Sequence, residues 1–325
     1  VISSKTHKLL RGEDMKYKRR RFIAGECLHV YQRAIGGVNI FYDREDYLVF
    51  YTMFSVISKL YDITILELCI MIDHIHILIS SNQLAQVSSF IQHLTSKFVL
   101  VYNQAVGRKG NLFHKSYGSA PKSGSKKIRS TIVYIGNNPV EKSLCLEASE
   151  YRWNFLAYIK DKNPFSEKVA AKCIAPRVRS ILKEIQRTHK ADTYLTYAQL
   201  RRMFAKLSKK DKEIVTDYII SIYNPIDIDA LLSFYNSYDD MINAMRSTAG
   251  SDYDIKEKFY HGSDKVYFEM AEFVENGLGI KPVRLITTSC DDYKFEVAKQ
   301  LQKSTMASSL QIAKFLHMKF DKTRK

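Results

Sequence analysis

Cys69-Ile70-Met71-Ile72-Asp73-His74-Ile75-His76-Ile77-Leu78-Ile79 is the stretch from which this chain is best interpreted, because it places two histidines in an otherwise apolar run. Side chains of a β-strand alternate between the two faces of a sheet, so His74 and His76 are predicted to share one face while the isoleucines around them enter the core. Two neighbouring imidazoles are suitable ligands for a divalent metal ion. The same pattern also fits two hydrogen-bonded polar residues on the open face of an antiparallel sheet.

A second motif, Tyr134-Ile135-Gly136-Asn137-Asn138-Pro139-Val140, lies further along the chain. The sequence predicts a helix from Lys126 to about Leu144, interrupted near Asn138-Pro139. Tyr134 and Asn138 are four residues apart and so share one helix face. Taken alone, this tyrosine is one of 21, and Asn-Pro is also a common helix stop.

Four segments, in their order and spacing, resemble the tyrosine transposases of the IS200/IS605 type, and most closely their REP-associated relatives. The segments are Met71 to Leu78, Gly110 to Ser116, Tyr134 to Val140 and Tyr151 to Trp153. These transposases are single-tyrosine members of the His-hydrophobic-His (HUH) nuclease superfamily. The resemblance covers roughly residues 20 to 160. The family usually has Pro-Asn where this chain has Ile72-Asp73, and both histidines remain in place.

The resemblance implies a site and a reaction. Tyr134 would be the nucleophile, and His74, His76 and Asn138 would be the metal ligands. With imidazole and amide ligands and no thiolate, Mg²⁺ or Mn²⁺ is the expected ion. The implied activity is cleavage and rejoining of single-stranded DNA near a hairpin, through a 5′-phosphotyrosine intermediate.

The predicted fold class is α+β, an antiparallel sheet with helices packed on one face, followed by a mainly α-helical C-terminal domain. The block from Ile63 to Ser80 is too long for one ordinary strand, so a hairpin is predicted near Ile72-Asp73. The other predicted elements are a strand within Phe22 to Ile35, a helix from Asp43, a helix from Leu84 to Ala105, and a strand within Leu112 to Ala120.

The chain is predicted to divide into four parts: a basic arm at 1–21, the nuclease domain at 22–160, a linker at 161–180, and a helical accessory domain at 181–325. Near the end, Ser309 to Leu316 has the spacing of a helix-turn-helix positioning helix, followed only by Lys319 to Lys322. A plain packing helix is the alternative.

A formal net charge of +16 in 325 residues favours a polyanionic partner, here single-stranded or hairpin DNA. The predicted phosphate contacts are Arg19, Arg20, Arg21, Lys115, Lys126 and Arg129, each with the alternative of a solvated surface charge. His29 and His93 are interpreted as ordinary residues, and His114 as a neighbour of the basic loop. Asp73 either orients an imidazole or is a turn residue.

The five cysteines form no C-x-x-C pair, which argues against a zinc ribbon and a disulfide framework. With no apolar run of membrane-spanning length, the expected location is the bacterial cytoplasm, in association with the nucleoid. The alternatives are a rolling-circle replication initiator or relaxase of the same superfamily, and a domesticated, non-cleaving hairpin-binding regulator. Both a monomer and a homodimer fit the sequence.

Overall fold

Four antiparallel strands form the sheet on which the rest of the fold is built. The computed structural model describes residues 20–167, 174–250, 263–283, 285 and 290–318. The strands are β1 (Cys27–Arg33), β2 (Thr64–Ile70), β3 (His74–Ser80) and β4 (Gly118–Lys122). They lie side by side in the order β2-β3-β1-β4. This sheet, with its helices and a helical C-terminal region, confirms the predicted α+β class.

The hairpin predicted at Ile72-Asp73 is confirmed, since β2 and β3 pair antiparallel with Cys69 opposite His76. The N–H of Met71 closes the turn by donating to the carbonyl of His74 at 2.9 Å. On its other edge β3 pairs with β1, where Tyr31 stands opposite His76. β3 is therefore an interior strand, and its two histidines lie in the middle of a sheet face.

Two long helices, α1 (Arg44–Ser58) and α2 (Leu84–Val106), match the predicted amphipathic helices. Asp43 begins α1 with a reciprocal capping box, in which its carboxylate and that of Asp46 accept each other's backbone N–H. Gln32 alternates with Tyr31 along β1 and lines a groove together with side chains of α2. α2 therefore covers the sheet face opposite the histidines.

The helix α3 (Ser125–Glu141) lies against the histidine-bearing face and contacts β2, β3 and β4. The interruption predicted near Asn138-Pro139 is wrong, because the helix continues through the proline to Glu141. Proline removes one N–H and so leaves unbonded only the carbonyl one turn earlier. The helix ends two residues later, so the loss is confined to its final turn.

The last strand lies further along the chain than predicted. The segment from Leu112 to Ala120 was expected to be a strand, whereas β4 begins at Gly118 and runs to Lys122. Phe113 forms a single bridge with Ala34. The residues between this bridge and β4 form a loop over the end of β1.

The C-terminal half is helical, as predicted. Its helices and the short helix before them are α4 (Ala157–Lys160), α5 (Pro176–Lys190), α6 (Tyr197–Phe204), α7 (Lys209–Ile222), α8 (Ile228–Leu232), α9 (Tyr238–Thr248), α10 (Lys265–Glu272), α11 (Asp291–Ser304) and α12 (Ser309–Phe315). Within the described ranges, no helix combines the length and the apolar character that crossing a bilayer requires.

The two halves of the chain share one hydrophobic core. Ile226 forms a parallel bridge with Ile65 of β2, and the N–H of Asp227 donates to the Ile65 carbonyl at 2.8 Å. Arg44 of α1 makes an ion pair with Glu213 of α7 at 2.5 Å. The C-terminal helices are thus packed directly onto the motif-bearing half.

The helical part of the C-terminal half begins earlier than predicted. Its helix α5 starts at Pro176, inside the segment 161–180 that was predicted as a linker. α12 buries Ile312 and Phe315 against the rest of the molecule. The basic arm up to Arg19 and the stretch from Lys319 to Lys322 lie outside the described residues.

Candidate active site

Four predicted site residues come together between the sheet and α3. The rings of His74 and His76 are 4.8 Å apart, centroid to centroid, and roughly perpendicular. The ring of Tyr134 meets His76 edge-on at 5.6 Å. Asn138, one turn further along α3, hydrogen-bonds to His76. The side chains that share one face of the strand thus meet those that share one face of the helix, as the two motifs predict.

All four side chains are buried, with Tyr134 3% exposed and His76 fully enclosed. Burial, followed by the electrostatic effects of His74 and His29, lowers the pKa of His76 well below its ordinary value, while the hydrogen bond to Asn138 acts in the opposite direction. The imidazole is therefore neutral near pH 7. A neutral imidazole is the form that ligates metal ions.

Asp73 lies in the hairpin turn and also contacts His74, so it combines the two roles that its sequence position left open. Its Oδ1 lies 2.5 Å from Nδ1 of His74. Burial opposes ionisation of this carboxyl, but the charge and the hydrogen bond of His74 outweigh it, so the pKa of Asp73 falls. Nε2 of His74 is buried and has no hydrogen-bond partner among the residues that the structure describes.

His29 lies in the candidate site, although the sequence analysis interpreted it as an ordinary residue. This strand β1 residue is fully buried, and its Nε2 lies 3.1 Å from Nδ1 of His76. Its ring also meets Tyr134 edge-on at 5.7 Å. Burial, with a smaller contribution from Lys122, lowers the pKa of His29 to about 3. A neutral imidazole in this position can accept a hydrogen bond from His76.

The two Nδ1 atoms of the histidine pair are thus both occupied, one by a carboxylate and the other by an imidazole. An imidazole that ligates a metal ion through Nε2 carries its proton on Nδ1 and donates it to such a partner. Asp73 and His29 are suitable acceptors for His74 and His76 respectively. The arrangement therefore fits two histidines that present Nε2 to an ion.

Few described side chains lie where they could serve as a third metal ligand beside His74 and His76. In the part of the chain that the structure describes, no three His, Cys, Asp or Glu side chains are grouped so that they could hold a metal ion. Asn138 places an amide beside the two imidazoles. Its Nδ2 donates to the carbonyl of Tyr134 at 2.9 Å, which fixes the orientation of the amide. Two nitrogens and one amide oxygen suit a divalent cation of intermediate hardness.

The position of α3 depends on the C-terminal half. A side chain larger than hydrogen at Gly136 would place its Cβ 2.5 Å from Cε of Met245. The amide of Asn137 donates to the carbonyl of Met245 at 2.8 Å. Nearer the start of the helix, the hydroxyl of Tyr235 donates to the carbonyl of Arg129. α9 and the loop before it therefore pack against α3 and fix its position.

The predicted phosphate contacts lie in separate places. Arg20 stacks on the ring of Tyr117 at 3.9 Å, and with Lys115 it lines the groove beside α2, on the face opposite the histidines. Lys126 is exposed on the first turn of α3. Arg129 lies one turn later, over the ring of Tyr235 at 4.9 Å.

The other predicted positions are simpler to place. Arg21 is exposed, and Arg19 lies outside the described residues. His93 is exposed and bonds to Tyr61 at 3.1 Å, in line with its interpretation as an ordinary residue. His114 is exposed on the loop before β4, where its N–H donates to the carbonyl of Arg33 at 3.0 Å.

Comparison with known proteins shows which family and which solved structure part of this chain is similar to. Residues 29–138 match the family model described as "Transposase IS200 like", a segment that begins at His29 and ends at Asn138. A solved structure of a REP-associated tyrosine transposase bound to a REP hairpin is similar at 15% identity and a TM-score of 0.40, over 50% of this chain and 94% of that one. A search of curated proteins found no match. Residues 29–138, which contain the histidine pair and Tyr134, are thus similar to the IS200-like transposases.

Proposed function

We propose that this protein is a metal-dependent transposase that cleaves and rejoins single-stranded DNA near hairpins through a covalent phosphotyrosine. The observation that carries the proposal is the contact of the Tyr134 ring with His76, beside His74. A phenol and two imidazoles are the groups that such a reaction needs. The family match over the same residues supports it.

The chemical step assigned to Tyr134 is an in-line displacement at phosphorus. The phenol oxygen forms a bond to the scissile phosphorus as the bond to the 3′ oxygen breaks, and the proton lost by the phenol is balanced by the one gained at the 3′ hydroxyl. The product is a 5′-phosphotyrosine and a free 3′ end. Because the phosphodiester energy is kept in the covalent link, a second 3′ hydroxyl can reverse the step without ATP.

His74, His76 and Asn138 are the residues proposed to hold Mg²⁺ or Mn²⁺. An ion of this kind polarises a phosphate oxygen as a Lewis acid. Asp73 and His29 keep the two imidazoles in the tautomer and orientation that ligation needs. The amide of Asn138 is held by the backbone of the same helix turn that carries Tyr134, so ligand and nucleophile keep a fixed spacing.

DNA as the substrate is supported by the distribution of charge. Residues 74–140 contain eight lysines and arginines and no aspartate or glutamate. This segment includes α2, β4 and most of α3. Phosphate contacts from such a surface position a strand without reading its sequence. Arg20, Lys115, Lys126 and Arg129 remain the proposed contacts.

A pool of labelled single-stranded oligonucleotides, with one fixed hairpin and randomised flanks, tests the proposal in the presence of Mn²⁺. The expected result is a denaturant-resistant protein–DNA adduct that is lost in Tyr134→Phe. Tyr31 supplies the matched control, since its ring is also near His76, at 6.5 Å, and Tyr31→Phe should keep the adduct. An adduct that survives Tyr134→Phe and disappears in Tyr31→Phe would show that the nucleophile is misassigned.

A non-cleaving hairpin-binding regulator is the second candidate, and one observation favours it. The Tyr134 side chain is only 3% exposed, so a phosphate reaches its hydroxyl only after some rearrangement. Under this alternative the wild-type protein binds the hairpin pool but forms no adduct with any divalent ion. Binding and adduct formation measured on the same pool separate the two functions.

A further inference from the structure

The C-terminal half forms one wall of a cavity that reaches the candidate site. The cavity measures about 290 Å³. His74 and Asp73 line it on the sheet side, together with Arg33 at the end of β1 and Lys142 just after α3. The opposite wall consists of residues from the start of α10 and from α12: Asp264, Tyr267, Ser308, Leu310, Gln311 and Lys314.

This wall is fixed to the motif-bearing half by several hydrogen bonds. The hydroxyl of Tyr42 donates to the carbonyl of Phe315 at 2.8 Å. The ring of His317 bonds to the carbonyl of Asn39 at 3.0 Å. The N–H of Asp264 donates to the carbonyl of Lys142 at 3.0 Å. α10 and α12 therefore have a defined place beside the histidine pair.

Lys314 is fitted closely into the cavity wall. Its Nζ lies 3.4 Å from the point where a Cβ on Gly37 would stand. Gly37 has a φ of +65°, a conformation that glycine adopts readily. A side chain there would meet the ammonium group, so the turn at Gly37 leaves room for this lysine.

The charges of the cavity favour an anion. Arg33, Lys142 and Lys314 are its three cations, and Asp73 and Asp264 are its two carboxyl groups. Asp73 is engaged by His74 at 2.5 Å. With both carboxylates ionised the sum is one positive charge. Cations from three separate segments thus line the same cavity as His74, whose Nε2 has no hydrogen-bond partner among the described residues.

We propose that this cavity binds a backbone phosphate of the DNA strand next to the one that is cut, and that Lys314 is its positioning residue from the C-terminal half. The inference rests on the proposed function, because it assigns a contact to the same substrate. It gives the segment beyond residue 138, which the family match does not cover, a part in binding the strand.

Lysine footprinting on the full-length protein tests the assignment without requiring cleavage. Acetylation rates of individual lysines are measured by mass spectrometry, with and without a saturating twelve-residue oligothymidylate. The rates at Lys314 and Lys142 are expected to fall at least threefold. Lys183, exposed on α5, is the control and should react at an unchanged rate.

A charge-removing variant gives a second, independent measurement. Lys314→Gln should reduce the slope of log K against log salt for the same oligonucleotide by about 0.7, the value for one phosphate contact on a single strand. Lys183→Gln should leave that slope unchanged. If the oligonucleotide binds and Lys314 is acetylated at its free rate, the phosphate assignment is wrong and the proposed function stands. If the wild type binds no DNA, both are wrong.

Discussion

Removing the imidazole of His29 is the sharpest test of how the candidate site is held together. His29 and His76 are both fully buried, and 3.1 Å separates their facing nitrogens. In His29→Leu the Nδ1–H of His76 loses this acceptor. An unsatisfied buried polar group costs about 1–3 kcal/mol. The free energy of unfolding should fall by that amount in the absence of metal.

The larger effect is expected on metal affinity. Loss of a hydrogen-bond partner behind a ligating histidine typically weakens metal binding about 10–100-fold, or about 1.4–2.7 kcal/mol. Titration of the protein with Mn²⁺, followed by the electron paramagnetic resonance signal of the free ion, measures this directly. His29→Gln keeps an amide oxygen that can accept the bond, so it should recover part of the affinity.

Two controls make the result specific. His93→Leu removes an exposed imidazole that bonds to Tyr61, and it should change neither quantity. The second control is pH. Burial holds the pKa of His29 at about 3, so the ring stays neutral and the loss of affinity should be the same at pH 6 and pH 8. A folded His29→Leu variant with wild-type Mn²⁺ affinity would refute the proposed role of His29.

Two further predictions concern the sheet. A Cβ at Gly118 would lie 2.1 Å from Cζ of Tyr31, so Gly118→Ala should lower the free energy of unfolding by about 1–3 kcal/mol, measured by urea denaturation; an unchanged midpoint would contradict this. Glu67 is fully enclosed with neither carboxylate oxygen hydrogen-bonded among the described residues, and burial raises its pKa well above the ordinary value. As the pH rises, the unfolded chain therefore releases this proton before the folded chain does, and the wild type loses stability. The free energy of unfolding of Glu67→Gln, relative to that of the wild type, should be higher at pH 8 than at pH 4 by at least about 1.4 kcal/mol. The same difference between variant and wild type at both pH values would contradict this prediction.

Local periodicity was sufficient for the elements that carry the motifs. The hairpin at Ile72-Asp73 follows from the length of the apolar block and the strand alternation within it. α2 follows from apolar residues at helical spacing, and its end follows from Gly107, which adopts a φ of +72°. The shared face of Tyr134 and Asn138 is a consequence of helix geometry alone. Each of these inferences uses residues that are close in sequence.

His29 could not be identified in this way, because its role depends on strand register. β1 pairs with β3 so that His29 stands opposite Leu78 and Tyr31 stands opposite His76. His29 and His76 are thus diagonal neighbours on one sheet face, within reach of long side chains. A shift of the register by one residue would place His29 on the other face. The one signal in the sequence is the presence of a histidine in the first strand. Strand alternation places His29 on the same face as Tyr31, which is the face that carries His76.

The boundary errors have equally local causes. The predicted linker, 161–180, contains Pro176, and proline is also favoured in the first turn of a helix, where Pro176 stands in α5. The apolar residues that follow, such as Val178 and Ile181, are buried in α5 and mark this proline as a helix start. Pro139 lies two residues before the end of α3, and a helix near its end tolerates the loss of one hydrogen bond.

The placement of Tyr134 beside the histidine pair depends on both halves of the chain. Within residues 29–138 the motifs specify which side chains meet, but the back of α3 packs on Met245, through the close approach at Gly136 and the hydrogen bond from Asn137. Loss of the hydrogen bond between the Asn137 amide and the Met245 carbonyl would cost about 1–3 kcal/mol. The C-terminal half therefore stabilises the position of α3 from which Tyr134 faces the histidine pair.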